Sequence, residues 1–192
     1  MISRRNAVKA LLLVSSAIIS FFLVDRWLKI ISIPDLALLH RKKMLIAEIA
    51  ELIIPKTDTP GAKDAKVEDF IIGIIEFCSD RKTQNNFISG LQSLESLSED
   101  KYGKSFLNCP TSERLALLTS LENNAFYQVN ILNKIRNKLI GKPFIIRFKE
   151  LAAEGYCTSY AGATKGLSYD YLPITYEACI NLESNQRSWA TK

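Results

Sequence analysis

The stretch Val67-Glu68-Asp69-Phe70-Ile71-Ile72-Gly73-Ile74-Ile75-Glu76-Phe77-Cys78 decides the fold. Val67, Phe70, Ile71, Ile74, Ile75 and Cys78 stand at i, i+3, i+4, i+7, i+8 and i+11, the spacing of one face of an α-helix. A half-buried strand would alternate apolar and polar residues instead. Asp64, just upstream, is expected to cap the helix N-terminus.

The same period continues on both sides. Upstream, Leu45, Ile46, Ile49, Leu52 and Ile53 form one stripe, with Glu48 and Glu51 opposite and Pro55 as the stop. Thr57-Asp58-Thr59-Pro60-Gly61 is a turn cluster between the two helices. Downstream, Phe87, Ile88, Leu91, Leu94 and Leu97 define a third helix, closed by Gly103. Pro110-Thr111-Ser112-Glu113 is a start signal, with hydroxyls to cap and an acid in the first turn, and Leu115, Leu118 and Leu121 continue it. Phe126, Val129, Leu132, Ile135 and Leu139 mark a fifth helix stopped by Gly141. Pro143, Phe144, Phe148, Leu151 and Ala152 mark a sixth, expected to stop at Gly155. These segments predict an all-α fold, a small helical bundle over about 35 to 155 without internal repeats.

Five of the seven tyrosines follow: Tyr156, Tyr160, Tyr169, Tyr171 and Tyr176, punctuated by Gly155, Gly162, Gly166 and Pro173. This is expected to be an irregular aromatic segment, not another bundle helix. Tyrosine joins apolar area to a hydroxyl, which suits half-wet contacts. The rings cover either the domain's own core or a partner.

The N-terminus reads as an address. Ser3-Arg4-Arg5 and Lys9 precede an uncharged apolar run from Ala10 to Val24, a signal-peptide pattern. Ser3, Arg4, Arg5 and Lys9 also resemble the twin-arginine export signal, with Ala7 and Val8 in place of its Phe and Leu. Positive charge before the run predicts a cytoplasmic N-terminus and a body on the other side. No Ala-x-Ala follows the run, so cleavage and retention as an anchor both stand. The run's fifteen residues would span roughly 22 Å as a helix, against a hydrocarbon core of roughly 30 Å. The expected organisation is a signal or membrane anchor over 1–33, a helical domain over 34–180 and a tail over 181–192.

Composition excludes several functions. The chain has 192 residues, 47% hydrophobic and 23% charged, which is ordinary globular material. Its net charge is +5, but all except about one unit lies before residue 30, so no nucleic-acid footprint is expected. His40 is the single histidine, which removes multi-His metal sites, and its neighbours Arg41, Lys42 and Lys43 suit a solvated residue better than a base. There is no Gly-x-Ser-x-Gly elbow, Gly-x-Gly-x-x-Gly turn or P-loop, and Gly162-Ala-Thr-Lys-Gly166 lacks a preceding strand. Glu48 with Glu51, and Glu68 with Asp69, read as solvent-facing acids. Cys78, Cys109, Cys157 and Cys179 contain no Cys-x-x-Cys. Either they are four free thiols, or an oxidising compartment pairs them, with Cys78–Cys179 as one candidate bridge. The residues therefore point to no catalytic, cofactor-binding or metal site.

Two stretches carry a family resemblance. One is Ile46-Ala-Glu-Ile-Ala-Glu-Leu-Ile-Ile-Pro55-Lys-Thr-Asp58-Thr-Pro60-Gly61-Ala62. The other runs from Phe148-Lys-Glu-Leu-Ala-Ala-Glu-Gly155-Tyr156-Cys-Thr158-Ser159 through Gly162 and Tyr169 to Tyr176-Glu-Ala-Cys179. With Gln84-x-x-Phe87-x-x-Gly90-Leu91 and Tyr102-Gly103-x-x-Phe106, they resemble the gluconate 2-dehydrogenase subunit 3 family over roughly 45 to 180. Two positions depart from the family's usual pattern, Tyr160 in place of an acid and Pro173-Ile174 in place of Pro-Gly.

The resemblance implies a non-catalytic small subunit of an exported FAD-dependent sugar, sugar-acid or polyol dehydrogenase of the glucose-methanol-choline type. The large subunit would hold FAD, this chain would hold no cofactor, and a cytochrome c subunit often passes electrons onward. It implies export of the folded flavoprotein by the twin-arginine translocase to the periplasmic side of the inner membrane. Thr59, Pro60, Gly61, Gly155, Tyr156, Thr158, Ser159, Gly162, Tyr169 and Tyr176 are the expected partner-binding residues. A stand-alone membrane-anchored envelope binding protein is the alternative, and an enzyme in its own right is the weakest reading.

Overall fold

The computed structural model describes residues 32–125, 130–172, 179, 181, 184 and 186–190. The export-signal residues Ser3, Arg4, Arg5 and Lys9, together with Tyr176 and Pro173, lie outside them, as do the side chains of Phe126, Val129, Leu132, Ile135 and Leu139. The helical period of the sequence is realised as α1 (Ala37–Arg41), α2 (Lys43–Ile53), α3 (Val67–Phe77), α4 (Arg81–Tyr102), α5 (Thr111–Asn123), α6 (Asn130–Leu139) and α7 (Phe144–Thr158). A 3-10 turn at Phe106–Asn108 joins α4 to α5, and a π-helical turn at Gly162–Gly166 follows α7. Among the described residues the fold is all-α, and its only β-type pairing is an isolated bridge between Ser168 and Trp189.

The apolar stripes meet in one core. Leu45, Ile46 and Ile49 of α2, Ile71 and Ile75 of α3, Phe87, Leu91 and Leu94 of α4, Leu117 of α5 and Phe148 and Leu151 of α7 are all buried. Each such side chain contributes roughly 1.5–3 kcal/mol of transfer free energy. Phe87 stacks on Phe148 at 5.8 Å between ring centroids, and Phe144 meets both edge-on. Gly90 makes this possible, because a Cβ there would overlap the Phe144 ring. Gly103, at φ 66°, ends α4 in a left-handed conformation that disfavours other residues.

Helices α3 and α7 form the most extensive helix pair and run antiparallel, since Phe70 meets Gly155 while Cys78 lies near Arg147. They give the bundle two ends, about 20 Å apart along a helix of this length. One, the turn end, holds Pro55–Lys66 and the chain after α7. The other, the basic end, holds the α3–α4 and α6–α7 connections.

Several local expectations are corrected. Asp64 does not cap α3; that helix starts after Lys66, which takes a left-handed φ of 53° and offers no side-chain cap. The Asp64 carboxylate instead accepts from the Gly61 N–H and pairs with Lys56 at 2.9 Å. No hydroxyl caps α5, whose N-cap position is Pro110. The glycine at 155 does not stop α7, which runs on to Thr158, so the start of the aromatic segment is helical. The Cys78–Cys179 bridge is not formed: all four cysteines are free. Cys109 is buried, with its sulfur 3.2 Å from the Ser98 hydroxyl.

Candidate functional site

The turn end is built on the carboxylate of Glu51. Its two oxygens accept the backbone N–H groups of Lys56 at 3.0 Å and Lys63 at 2.9 Å, so one side chain closes the loop that leaves α2. Glu48, one turn earlier, pairs with Arg114 at 3.1 Å and with Lys63. The two acids are therefore clamps, not the solvent-facing decoration their helical position suggested. Gly61 sits against the Glu51 clamp; a Cβ there would lie 2.5 Å from one carboxylate oxygen and 2.8 Å from the Lys56 nitrogen. Within the turn, the Thr57 hydroxyl donates to Asp58 at 3.0 Å, and the Thr57 N–H donates to the Thr59 carbonyl at 3.1 Å. The Thr57 hydroxyl, the Asp58 backbone N–H and Arg187 hold the Asp58 carboxyl below its ordinary range.

The second motif locks onto the first. The Tyr156 hydroxyl donates to the Pro60 carbonyl at 2.8 Å across 96 residues, and its ring is only 8% exposed. Its own carbonyl accepts from the Ser159 hydroxyl at 2.7 Å, and the Ser159 oxygen accepts from the Gly162 N–H at 2.9 Å. The chain then folds back so closely that a Cβ on Gly162 would overlap the Tyr156 carbonyl oxygen, and one on Gly166 would overlap its hydroxyl. On the other side, a Cβ on Gly155 would come within 2.6 Å of Phe70. Thr158 turns its hydroxyl back to the Glu154 carbonyl at 2.7 Å.

The residues expected to contact a partner divide by burial. Gly61, Gly155, Gly162 and Tyr156 are buried within the chain and hold the turn end together. Thr59, Pro60 and Ser159 are half-buried around them, while Thr158 and Tyr169 are exposed.

The surface raised on this platform is different. Tyr160 and Tyr171 are each 81% exposed, and Leu172 and Tyr169 are exposed beside them in sequence. Arg187 reaches in from the tail, donating to the Lys165 carbonyl at 2.9 Å and pairing with Asp58 at 3.2 Å. Ser168 hydrogen-bonds the backbone of Ser188 and Ala190, which lays Trp189 beside the same segment. Tyr171 belongs to the aromatic segment that the sequence offers to the core or a partner; Leu172 fits no helical period, and its place beside Tyr171 was the available signal. Arg187 carried no local signal, being 129 residues from its partner.

Among the described residues no group of three or more His, Cys, Asp or Glu side chains is placed to hold a metal ion. His40 is exposed and contacts Glu76 at 3.0 Å. No described helix is long and apolar enough to cross a membrane, and the run Ala10–Val24 lies outside the described residues.

A family model for gluconate 2-dehydrogenase subunit 3 matches residues 40–175. The chain belongs to that family. The match takes in both interlocking motifs of the turn end and the whole antiparallel α3–α7 pair. Neither a curated protein nor a solved structure matches the chain. The family is named for a component of a dehydrogenase complex, which implies association with other subunits.

Proposed function

We propose that this chain is the non-catalytic small subunit of an exported FAD-dependent sugar, sugar-acid or polyol dehydrogenase. It carries the twin-arginine signal through Ser3, Arg4, Arg5 and Lys9, and it stabilises the flavoprotein subunit, which holds the FAD. The complex works on the periplasmic side of the inner membrane.

The observation that carries this reading is the pairing of a rigid platform with unused aromatic area. The family's two motifs interlock through Tyr156 and Pro60, and Tyr160, Tyr169, Tyr171 and Leu172 project from them. Interface energy concentrates in a few aromatic anchors, each worth about 2 kcal/mol or more on truncation. Side chains that already seal the chain's own core are not free to act so; these four are.

The test is coexpression with the flavoprotein subunit, pull-down and a flavin spectrum of the captured complex. Tyr160→Ala with Tyr171→Ala is expected to leave the small subunit's melting temperature unchanged and to weaken capture tenfold or more, which is about 1.4 kcal/mol. Undiminished capture by the folded double variant overturns the docking face. Arg4→Lys with Arg5→Lys is expected to strand both subunits in the cytoplasm, since lysine keeps the charge but not the planar guanidinium. Normal export of that variant overturns the twin-arginine reading.

A further inference from the structure

The basic end combines three features that no part of the dehydrogenase reading uses. The first is a polar recess of about 340 Å³ between the α3–α4 and α6–α7 connections, lined by Cys78, Asp80, Lys82, Asn137, Lys142 and Arg147 among others. Arg81 and Lys138 flank it and are exposed. Lys82, Lys142 and Arg147 thus line the recess with Asp80, in a chain whose body is close to neutral. Lys142 and Arg147 share Glu150, and Lys82 donates to the Lys138 carbonyl at 3.1 Å.

The second feature is apolar. Phe77, the last residue of α3, is 80% exposed beside this recess, and Ile33 is 83% exposed. The third is where the chain enters. Neighbouring side chains in the first turns of α4 hold both sides of this end: Asn85 donates to the Ser32 carbonyl at 2.7 Å, and Asn86 to the Lys142 carbonyl at 2.6 Å. Ser32 is therefore held against the first turns of α4, the helix whose Lys82 and Thr83 line the basic recess. In the sequence it follows the apolar run Ala10–Val24 and Trp27-Leu28-Lys29.

We propose that the basic end is a membrane-contact face that takes anionic lipid headgroups, with Phe77 and Ile33 entering the interfacial layer. Exposed apolar residues beside a cationic cluster are the composition of an interfacial surface. Lys and Arg next to an anionic leaflet gain Coulomb energy that salt screens within about 10 Å. The placement also leaves the turn end, at the far end of α3 and α7, pointing away from the bilayer toward a partner. The inference rests on the exported, membrane-associated reading for its setting, but it concerns different residues.

The test uses the full chain with Cys157→Ser and Cys179→Ser, so that an environment-sensitive dye reports from the exposed Cys78 alone. Vesicles of phosphatidylcholine, with and without 30% phosphatidylglycerol by design, are added and sedimented. The expected result is a blue shift of the Cys78 dye with the anionic vesicles only, reversed by salt. A dye placed instead on Cys157, at the turn end, is expected not to shift. Arg81→Gln, Lys82→Gln and Lys142→Gln together should lower affinity for the anionic vesicles about tenfold or more without changing the melt. A chain that sediments with both vesicle types while the Cys78 dye stays unshifted overturns this inference and leaves the apolar anchor standing. Sedimentation with anionic vesicles alone, with the Cys78 shift, supports the inference and removes the anchor. Sedimentation with neither overturns both.

Discussion

The turn end and the basic end of the bundle are stabilised by opposite means. The turn end has irregular backbone, and its order comes from polar clamps and glycine-tight contacts: Glu51 on two backbone amides, Tyr156 on Pro60, and the chain folded against Tyr156 at Gly162 and Gly166. Toward the basic end, the three rings of Phe87, Phe144 and Phe148 fill the space between α4 and α7, and the surface above them is charged. Apolar packing is non-directional and tolerates small shifts, whereas a clamp on a carbonyl or amide does not. A face that must present side chains to one partner gains from the second kind of order, and a face that meets fluid lipid gains little from it.

The largest expected effect tests the apolar half of this contrast. Phe148→Ala removes a fully buried ring that touches two others, and should destabilise the chain by about 3–5 kcal/mol in denaturant titration. A loss below about 1 kcal/mol would show that the three rings do not organise that region.

The next tests the tight backbone of the turn end. Gly162→Ala forces a methyl onto the Tyr156 carbonyl oxygen, and overpacking of this kind costs about 1–3 kcal/mol. Gly73→Ala is the control, because a Cβ in the middle of α3 meets nothing within 4 Å. It should stabilise the chain by about 0.5–1 kcal/mol, by restricting the unfolded state. Equal effects at the two glycines would show that the close approach at Gly162 carries no special cost. A smaller change, Tyr156→Phe, removes only the hydrogen bond to Pro60 and should cost about 1 kcal/mol while the ring stays packed. If the melt is unchanged but flavoprotein capture falls, that hydroxyl serves the partner and not the fold.

The sequence showed the helices better than it showed the site, for a physical reason. Burial of Ile71, Ile75, Leu91 and Leu94 follows from a period that their own segments display, whereas α5 shows no such stripe and buries Leu117 while Leu115 is exposed. The role of Tyr156 depends on Pro60, 96 residues away, so no local pattern separates a sealing tyrosine from a docking one. Gly155 illustrates the same limit. It read as a stop because glycine weakens helices, yet it lies inside α7, buried against Phe70 where a side chain would collide. Asp64 failed likewise: its place before an apolar run suits a cap, but Lys56 and the Gly61 amide claim its carboxylate. Tyrosine composition marked the segment holding Tyr160, Tyr169 and Tyr171, but it could not tell these exposed rings from the buried Tyr156.

The smallest expected effect lies at the basic end, on the carboxylate that lines its recess. Asp80 caps α4, accepting the Thr83 N–H at 3.0 Å. The Thr83 hydroxyl and then its N–H hold the Asp80 carboxyl below the ordinary range, against a modest opposing effect of burial. A depressed native pKa means stability that is present above the unfolded value of about 4 and lost as pH falls through the native value. Asp80→Ala should therefore cost about 0.5 kcal/mol near neutrality, at the low end for a cap because the group is exposed and screened, and the difference from wild type should shrink below pH 4. Asp80→Asn keeps a capping oxygen but cannot ionise, so its deficit should be smaller still and should also fade with acid. That variant removes the carboxylate that lines the recess with Lys82, Lys142 and Arg147, so its binding to anionic vesicles should strengthen even as its stability falls slightly. Stability and lipid binding moving in opposite directions from one substitution would separate an electrostatic surface from a structural one. If both fall together, the charge around the recess serves the fold alone.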